Sequence, residues 1–203
     1  NCFESNVLRY IQEQVDLARS GGEGYVFIKV NSLNDMEIME KLIEASQAGV
    51  KVEMVIRGIC CLKVGIPHIS ENISVRSIVG NFLEHARIFY FYNDGAEELY
   101  MGSADWMPRN LDKRVEIVFP LKDEKIKQQA KHILDIQLAD NLKAHILQPD
   151  GSYEKIDKRG KKTLICAQDY FCEEAVKNAK QPTDPVLDHV FIPAEAGVFS
   201  DRD

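Results

Sequence analysis

Two short apolar runs, Tyr25 to Val30 and Val50 to Ile56, flank a stretch whose hydrophobic residues recur at helical spacing. Runs of six or seven such residues read as buried strands, and Met36, Met39, Leu42 and Ile43 line one side of a helix between them. Ser32 or Asn34 can cap that helix near Asp35, and Gly49 suits its left-handed C-terminal stop. Strand, helix and strand with short links make a βαβ unit, whose two strands must run parallel. This unit commits the chain to an α/β fold, a sheet with helices packed against it.

The remaining pattern extends that sheet. Val7, Leu8, Ile11, Val15 and Ala18 recur at helical spacing, and Gly21-Gly22 ends the run, which predicts an N-terminal helix within residues 1–22. Strands are expected at Ile73 to Val79, Arg87 to Tyr92, Glu98 to Ser103 and Arg114 to Phe119, with a turn at Asn93-Asp94-Gly95. Lys122 to Leu138 reads as a helix, Ala144 to Leu147 and Ser152 to Ile156 as a late hairpin, and Thr163 to Ala179 as a last helix. An α/β body over 23–180 is followed by an irregular tail over 181–203, rich in Pro and charge. The chain opens on Asn1 rather than Met, which fits a native start elsewhere.

Charge narrows the partners. The net charge of −7 argues against a nucleic-acid coat protein. Between Arg57 and Arg114, seven basic residues match seven acidic ones, so the rest of the chain carries the whole excess and the arginines collect mid-chain. No apolar stretch is long enough to span a bilayer, and no secretory signal is visible. The five cysteines fit no zinc spacing and are expected to be buried reduced thiols in a cytosolic protein. No metal site and no tightly bound prosthetic group are expected.

Within that neutral window sit the candidate site residues. If Leu83 to Phe89 enters a strand, His85 and Arg87 project from one face. Imidazole can donate a hydrogen bond or a proton, and guanidinium grips phosphate oxygens in a fork. A structural histidine at a strand edge fits the same local pattern. Arg57 is the first residue past the carboxyl end of a parallel strand, where ligands gather in open α/β sheets, and Gly58 beside it permits close backbone approach to a ligand. Arg114 begins a strand after the polar loop Gly102 to Asn110, which could form a pocket wall. Arg76 alternates with Val75 and Ile78, and either an ion pair or a ligand contact would suit it.

A succession of motifs carries a resemblance. Ile56-Arg57-Gly58-Ile59-Cys60-Cys61-Leu62, Phe82-Leu83-Glu84-His85-Ala86-Arg87-Ile88 and Gly102-Ser103-Ala104-Asp105-Trp106-Met107-Pro108-Arg109-Asn110-Leu111 appear in the order found in polyphosphate kinases of the first kind. Lys29-Val30-Asn31-Ser32-Leu33 and Asn141-Leu142-Lys143-Ala144 flank them. The chain resembles the C-terminal catalytic portion of that family over about residues 7 to 175, and resembles a fragment rather than a complete enzyme. The resemblance implies a phospholipase D-like mixed β-sheet flanked by helices. The His85-x-Arg87 pair is similar to half of that superfamily's H-x-K signature, with Arg in place of Lys.

What the resemblance implies is phosphoryl transfer from ATP to inorganic polyphosphate, reversibly, through a phosphohistidine on a preceding domain. His85 would be the catalytic imidazole of this segment, and Arg57, Arg114, Arg76 and Arg87 would bind phosphate beside it. ATP or ADP, polyphosphate and the preceding domain would be its partners, with Mg²⁺ accompanying the nucleotide. It also implies a homo-oligomeric full-length enzyme in the cytoplasm, with membrane association left open. A phospholipase D-like phosphodiesterase and a non-catalytic polyphosphate-binding module are the competing readings.

Overall fold

The computed structural model describes residues 2–157, 159 and 163–179. The tail expected over 181–203 lies outside them. In chain order the elements are α1 (Cys2–Arg19), β1 (Tyr25–Val30), α2 (Met36–Gln47), β2 (Lys51–Ile56), β3 (Ile73–Ile78), β4 (Arg87–Phe91), β5 (Glu98–Gly102), α3 (Pro108–Asp112), β6 (Val118–Pro120), α4 (Glu124–Ala139), β7 (Ala144–Leu147), β8 (Tyr153–Lys155) and α5 (Ala167–Asn178). The strands form one sheet in the order β6-β5-β4-β1-β2-β3-β7-β8. β1, β2 and β3 run parallel, and every other pairing is antiparallel. The mixed sheet flanked by helices is therefore present, with the parallel β1-α2-β2 unit at its centre.

Alternation along the central strands explains the layers. Val26, Ile28 and Val30 of β1 face a core shared with Val7, Ile11 and Val15 of α1 and Ile38 and Leu42 of α2. Phe27, on the other face, packs with Ile88, Tyr90, Leu99 and the α4 residues Ala130 and Leu134. A strand buried on both faces must be apolar throughout, as the sequence of β1 nearly is. Each fully buried Leu, Ile or Phe contributes about 1.5–3 kcal/mol. The second parallel crossover, from β2 to β3, has no helix. Its irregular chain instead buries Leu62 and Val64 in the α1/α2 layer.

Some local expectations need correction. Asp35, not Ser32 or Asn34, caps α2: its Oδ1 accepts from the Ile38 N–H at 3.0 Å. Met36, placed on the apolar side from the sequence, is 63% exposed because it lies in the first turn, outside the packed stripe. The strand expected to start at Arg114 begins only at Val118. Val115 and Ile117 are exposed there, so their apolar alternation reflects no buried face. α5 begins at Ala167 rather than Thr163. Cys60, Cys61, Cys166 and Cys172 are unpaired, but Cys61 and Cys172 are exposed rather than buried.

Asp140 ties the last elements to the body. Fully buried at the end of α4, its carboxylate accepts from the N–H groups of Leu142, Lys143 and Ala144 and from that of Ala167 at the start of α5. Four donors on one carboxylate set where α5 begins.

Candidate functional site

The parallel strands β1, β2 and β3 end at one rim of the sheet, and the antiparallel β4 starts there. β5 ends and β6 begins at the same rim, since Arg87 pairs with Gly102 and Gly102 with Val118. Arg57 follows β2, His85 precedes β4 and Arg114 precedes β6, so chain segments far apart in sequence reach one edge. Ligands bind outside the carboxyl ends of parallel strands for this topological reason.

The exit loops are stitched to each other. Gly58 N–H donates to Asn31 O at 2.8 Å, and Leu33 N–H to Ile59 O at 2.8 Å. Trp106 N–H donates to Ser32 O at 3.2 Å, and Asn34 N–H to Trp106 O at 3.0 Å. The Trp106 ring is fully buried and stacks on Phe89 at 5.5 Å. A Cβ at Gly58 would lie 2.9 Å from Asn31 O. Gly58 is thus needed for close contact with the neighbouring backbone, a requirement the sequence did not show.

His85 stands on a braced loop rather than in a strand. Residues 83–86 form no strand and lie before β4, so the alternation expected to place His85 and Arg87 on one face does not operate. Arg87 is in register with Phe89 and Phe91, on the α1/α2 side. His85 lines a cavity of about 610 Å³ on the opposite side, together with Lys29 of β1, Gln137 of α4 and Phe171 of α5.

Arg87 is spent internally. Its Nη2 and Nε donate to Asp105 at 2.9 and 3.2 Å, and its Nη1 donates to His85 O at 2.8 Å. It is 9% exposed. The expected phosphate contact is replaced by a buried brace that holds the His85 backbone. Burial would raise the Asp105 carboxyl, but Arg87 and the Asn31 N–H outweigh it and hold the group below the ordinary range. Arg76 also turns inward, donating from Nη1 to Leu138 O. Burial, only partly offset by Glu53, Tyr25 and Asp140, lowers its pKa.

A residue not singled out as functional from sequence sits between the expected ones. Lys29, 4% exposed, pairs through Nζ with Glu84 Oε2 at 2.7 Å. Burial pulls its pKa down, the Glu84 contact opposes that, and nearby Arg57 adds to the lowering. Gln137 donates to the same Glu84 oxygen, and Gln168 to the other at 3.1 Å. Glu84 is therefore consumed by three partners, while the next residue, His85, is exposed. The available signal was the single lysine within the apolar run Tyr25 to Val30.

Arg57 is half-buried and Arg114 exposed, and neither has an ion pair among the described residues. Arg114 lies in a loop held by Glu116, which accepts from Asn110 Nδ2 at 2.6 Å and from Ser103 Oγ. The rim thus brings His85, Lys29 and Arg57 to neighbouring strands β4, β1 and β2, sets Arg114 farther along, and turns Arg76 and Arg87 inward. Among the described residues, no group of three or more His, Cys, Asp or Glu could hold a metal ion. No helix among them is long and apolar enough to cross a membrane.

The fold is that of a mixed α/β domain with imidazole, ammonium and guanidinium groups along one sheet rim. Its family follows from comparison. The model of the polyphosphate kinase C-terminal domain 2 matches residues 1–168. A polyphosphate kinase of Lactiplantibacillus plantarum is 46% identical over 186 residues, covering 90% of this chain and 26% of the relative. One of Bacillus anthracis is 51% identical over 150 residues, covering 74% and 21%. The crystal structure of polyphosphate kinase from Porphyromonas gingivalis superposes with a TM-score of 0.83 at 34% identity, covering 87% of this chain and 27% of that one. The chain belongs to the polyphosphate kinase family, as its C-terminal domain. It spans about a quarter of the length of the relatives it matches.

Proposed function

We propose that this chain supplies the phosphate-holding half of a polyphosphate kinase active site. In this reading ATP gives its γ-phosphoryl group to a histidine on a preceding domain, and the phosphohistidine passes it to a growing polyphosphate, reversibly. His85 acts as the acid/base or orienting donor beside the transferring phosphate. Arg57 and Arg114 neutralise charge on its oxygens, and Mg²⁺ arrives with the nucleotide. Arg87 and Arg76 stay out of the anion site.

The observation that supports the reading is the contrast at the rim. Glu84 has its acceptors filled by Lys29, Gln137 and Gln168, while His85 beside it stands exposed with its backbone fixed by Arg87. An exposed imidazole on a braced loop, at the rim that Arg57 also reaches, with the adjacent carboxylate paired, favours an incoming anion. Preorganised donors of this kind need no rearrangement as charge develops.

The test is made in the full-length enzyme. His85→Ala and Arg57→Ala are each expected to lower synthesis by roughly 30- to 1000-fold, about 2–4 kcal/mol in the transition state. Wild-type synthesis in either variant removes that residue from the site. Polyphosphate binding without turnover in every form would instead support a binding module. Hydrolysis of a chromogenic phosphodiester, lost on His85→Ala, would support a phosphodiesterase.

A further inference from the structure

The loop carrying His85 is held by a residue of α5, more than eighty positions later in sequence. Gln168 is 6% exposed, and its amide serves the loop in both directions. Its Oε1 accepts from the Phe82 N–H at 3.0 Å, and its Nε2 donates to Phe82 O at 2.8 Å. The same Nε2 lies 3.1 Å from Glu84 Oε1. A primary amide carries a carbonyl acceptor and two N–H donors, and here the acceptor and both donors are engaged. The loop is built to receive it. A Cβ at Gly80 would lie 2.3 Å from Gln168 Oε1 and 2.7 Å from Cδ, and its three nearest neighbours all belong to Gln168. The origin of α5 is fixed in turn, since the N–H of Ala167 donates to buried Asp140 at 2.8 Å.

We infer that Gln168 and Gly80 form a clasp that positions His85 for phosphoryl transfer. Gln168 touches no reacting atom. It fixes the backbone at Phe82 and the carboxylate at Glu84, and Arg87 fixes the carbonyl at His85. The imidazole is left as the free end of a loop pinned at three successive points. The alternative, that Gln168 merely docks α5 on the body, is already served by Asp140 and by the His132–Glu174 contact at 2.8 Å. An amide matched to both backbone polar groups of one residue is more than docking requires. The inference rests on the reading of His85 as catalytic.

The experiment compares Gln168→Ala, Gln168→Glu, Gly80→Ala and the Gly80→Ala/Gln168→Ala double variant in the full-length enzyme, with His85→Ala alongside. Gln168→Glu preserves shape but removes both donors and faces Glu84 with a second carboxylate. Gly80→Ala expels the Gln168 side chain without altering α5. Each single variant is expected to lose about 10- to 100-fold in kcat, a loss typical of small misplacement in an active site. KM for ATP should stay within about two-fold, and the double variant should be no slower than the slower single within about two-fold, because both break one contact. Hydrogen exchange at the Phe82 amide should rise in Gln168→Ala and Gly80→Ala, which take away its acceptor.

A purely docking role would lower the melting temperature and leave kcat per folded molecule unchanged. Wild-type kcat in Gln168→Ala or Gly80→Ala, with faster exchange at Phe82, would overturn the clasp, and so would multiplicative losses in the double variant. If His85→Ala is inactive in that case, the proposed function stands and only the clasp fails. Activity retained by His85→Ala would overturn both.

Discussion

Asp105 receives hydrogen bonds from two directions: the Arg87 guanidinium and the N–H of Asn31, the residue just past β1. Removing one member of a buried ion pair leaves the other charge unpaired, which costs about 3–5 kcal/mol. Asp105→Ala should lose stability of that order in a urea melt, and the His85 backbone should lose its brace. The pH dependence has a definite sign. The folded-state pKa of Asp105 lies below its ordinary 3.8, so its contribution is complete above that value and drains away as pH falls through the folded-state pKa. Melts from neutral pH into acid should therefore show the gap between wild type and Asp105→Asn closing below about pH 3.8. A gap that stays constant would mean Asp105 holds no special pairing. At this scale the sequence was a poor guide. It offered four arginines and one histidine as ligands, and the structure turned two of the arginines inward, because a guanidinium's partner is fixed by tertiary neighbours and not by its own flanks.

At the level of elements, legibility followed local signal strength. β1 was readable to the residue, and α2 and β2 to within one, because buried apolar runs and Gly49 at φ +90° are short-range signals. The loop before β4 and the late start of β6 were not readable. Both are set by side chains from other segments: Gln168 for the first, Ser103 and Asn110 for the second. Gly102 shows how tight the second junction is. A Cβ there would lie 2.4 Å from Ile117 O and 2.7 Å from Val118 Cγ2. The oxygen accepts from the Ser103 N–H at 2.9 Å and cannot yield without loosening β6. Gly102→Ala is expected to cost about 1–3 kcal/mol through overpacking. Its amide exchange should rise at Val118 and Phe119 while β1 and β2 stay protected. Uniform loosening across the sheet would contradict this local account.

For the whole molecule, the decisive fact is how little of the related enzymes this domain represents. In the proposed division of roles the rim holds phosphate and the attacking imidazole comes from a preceding domain, so this chain is half of a reaction. The isolated chain is expected to fold and to make no polyphosphate from ATP, assayed by product length on a gel. Robust synthesis by the chain alone would overturn the division of roles proposed above. The motif order made this membership visible in the sequence, whereas the arrangement of the rim needed the fold.

The sheet also has a second rim. The tight turns that require left-handed backbone, at Gly49, Asn93, Asp94, Gly95 and Gly151, lie beside the opposite strand ends. A reporter dye or an affinity handle fused at the exposed Asp94 would sit a full strand length from His85. The domain can therefore be watched or tethered from behind, away from the rim that His85 reaches.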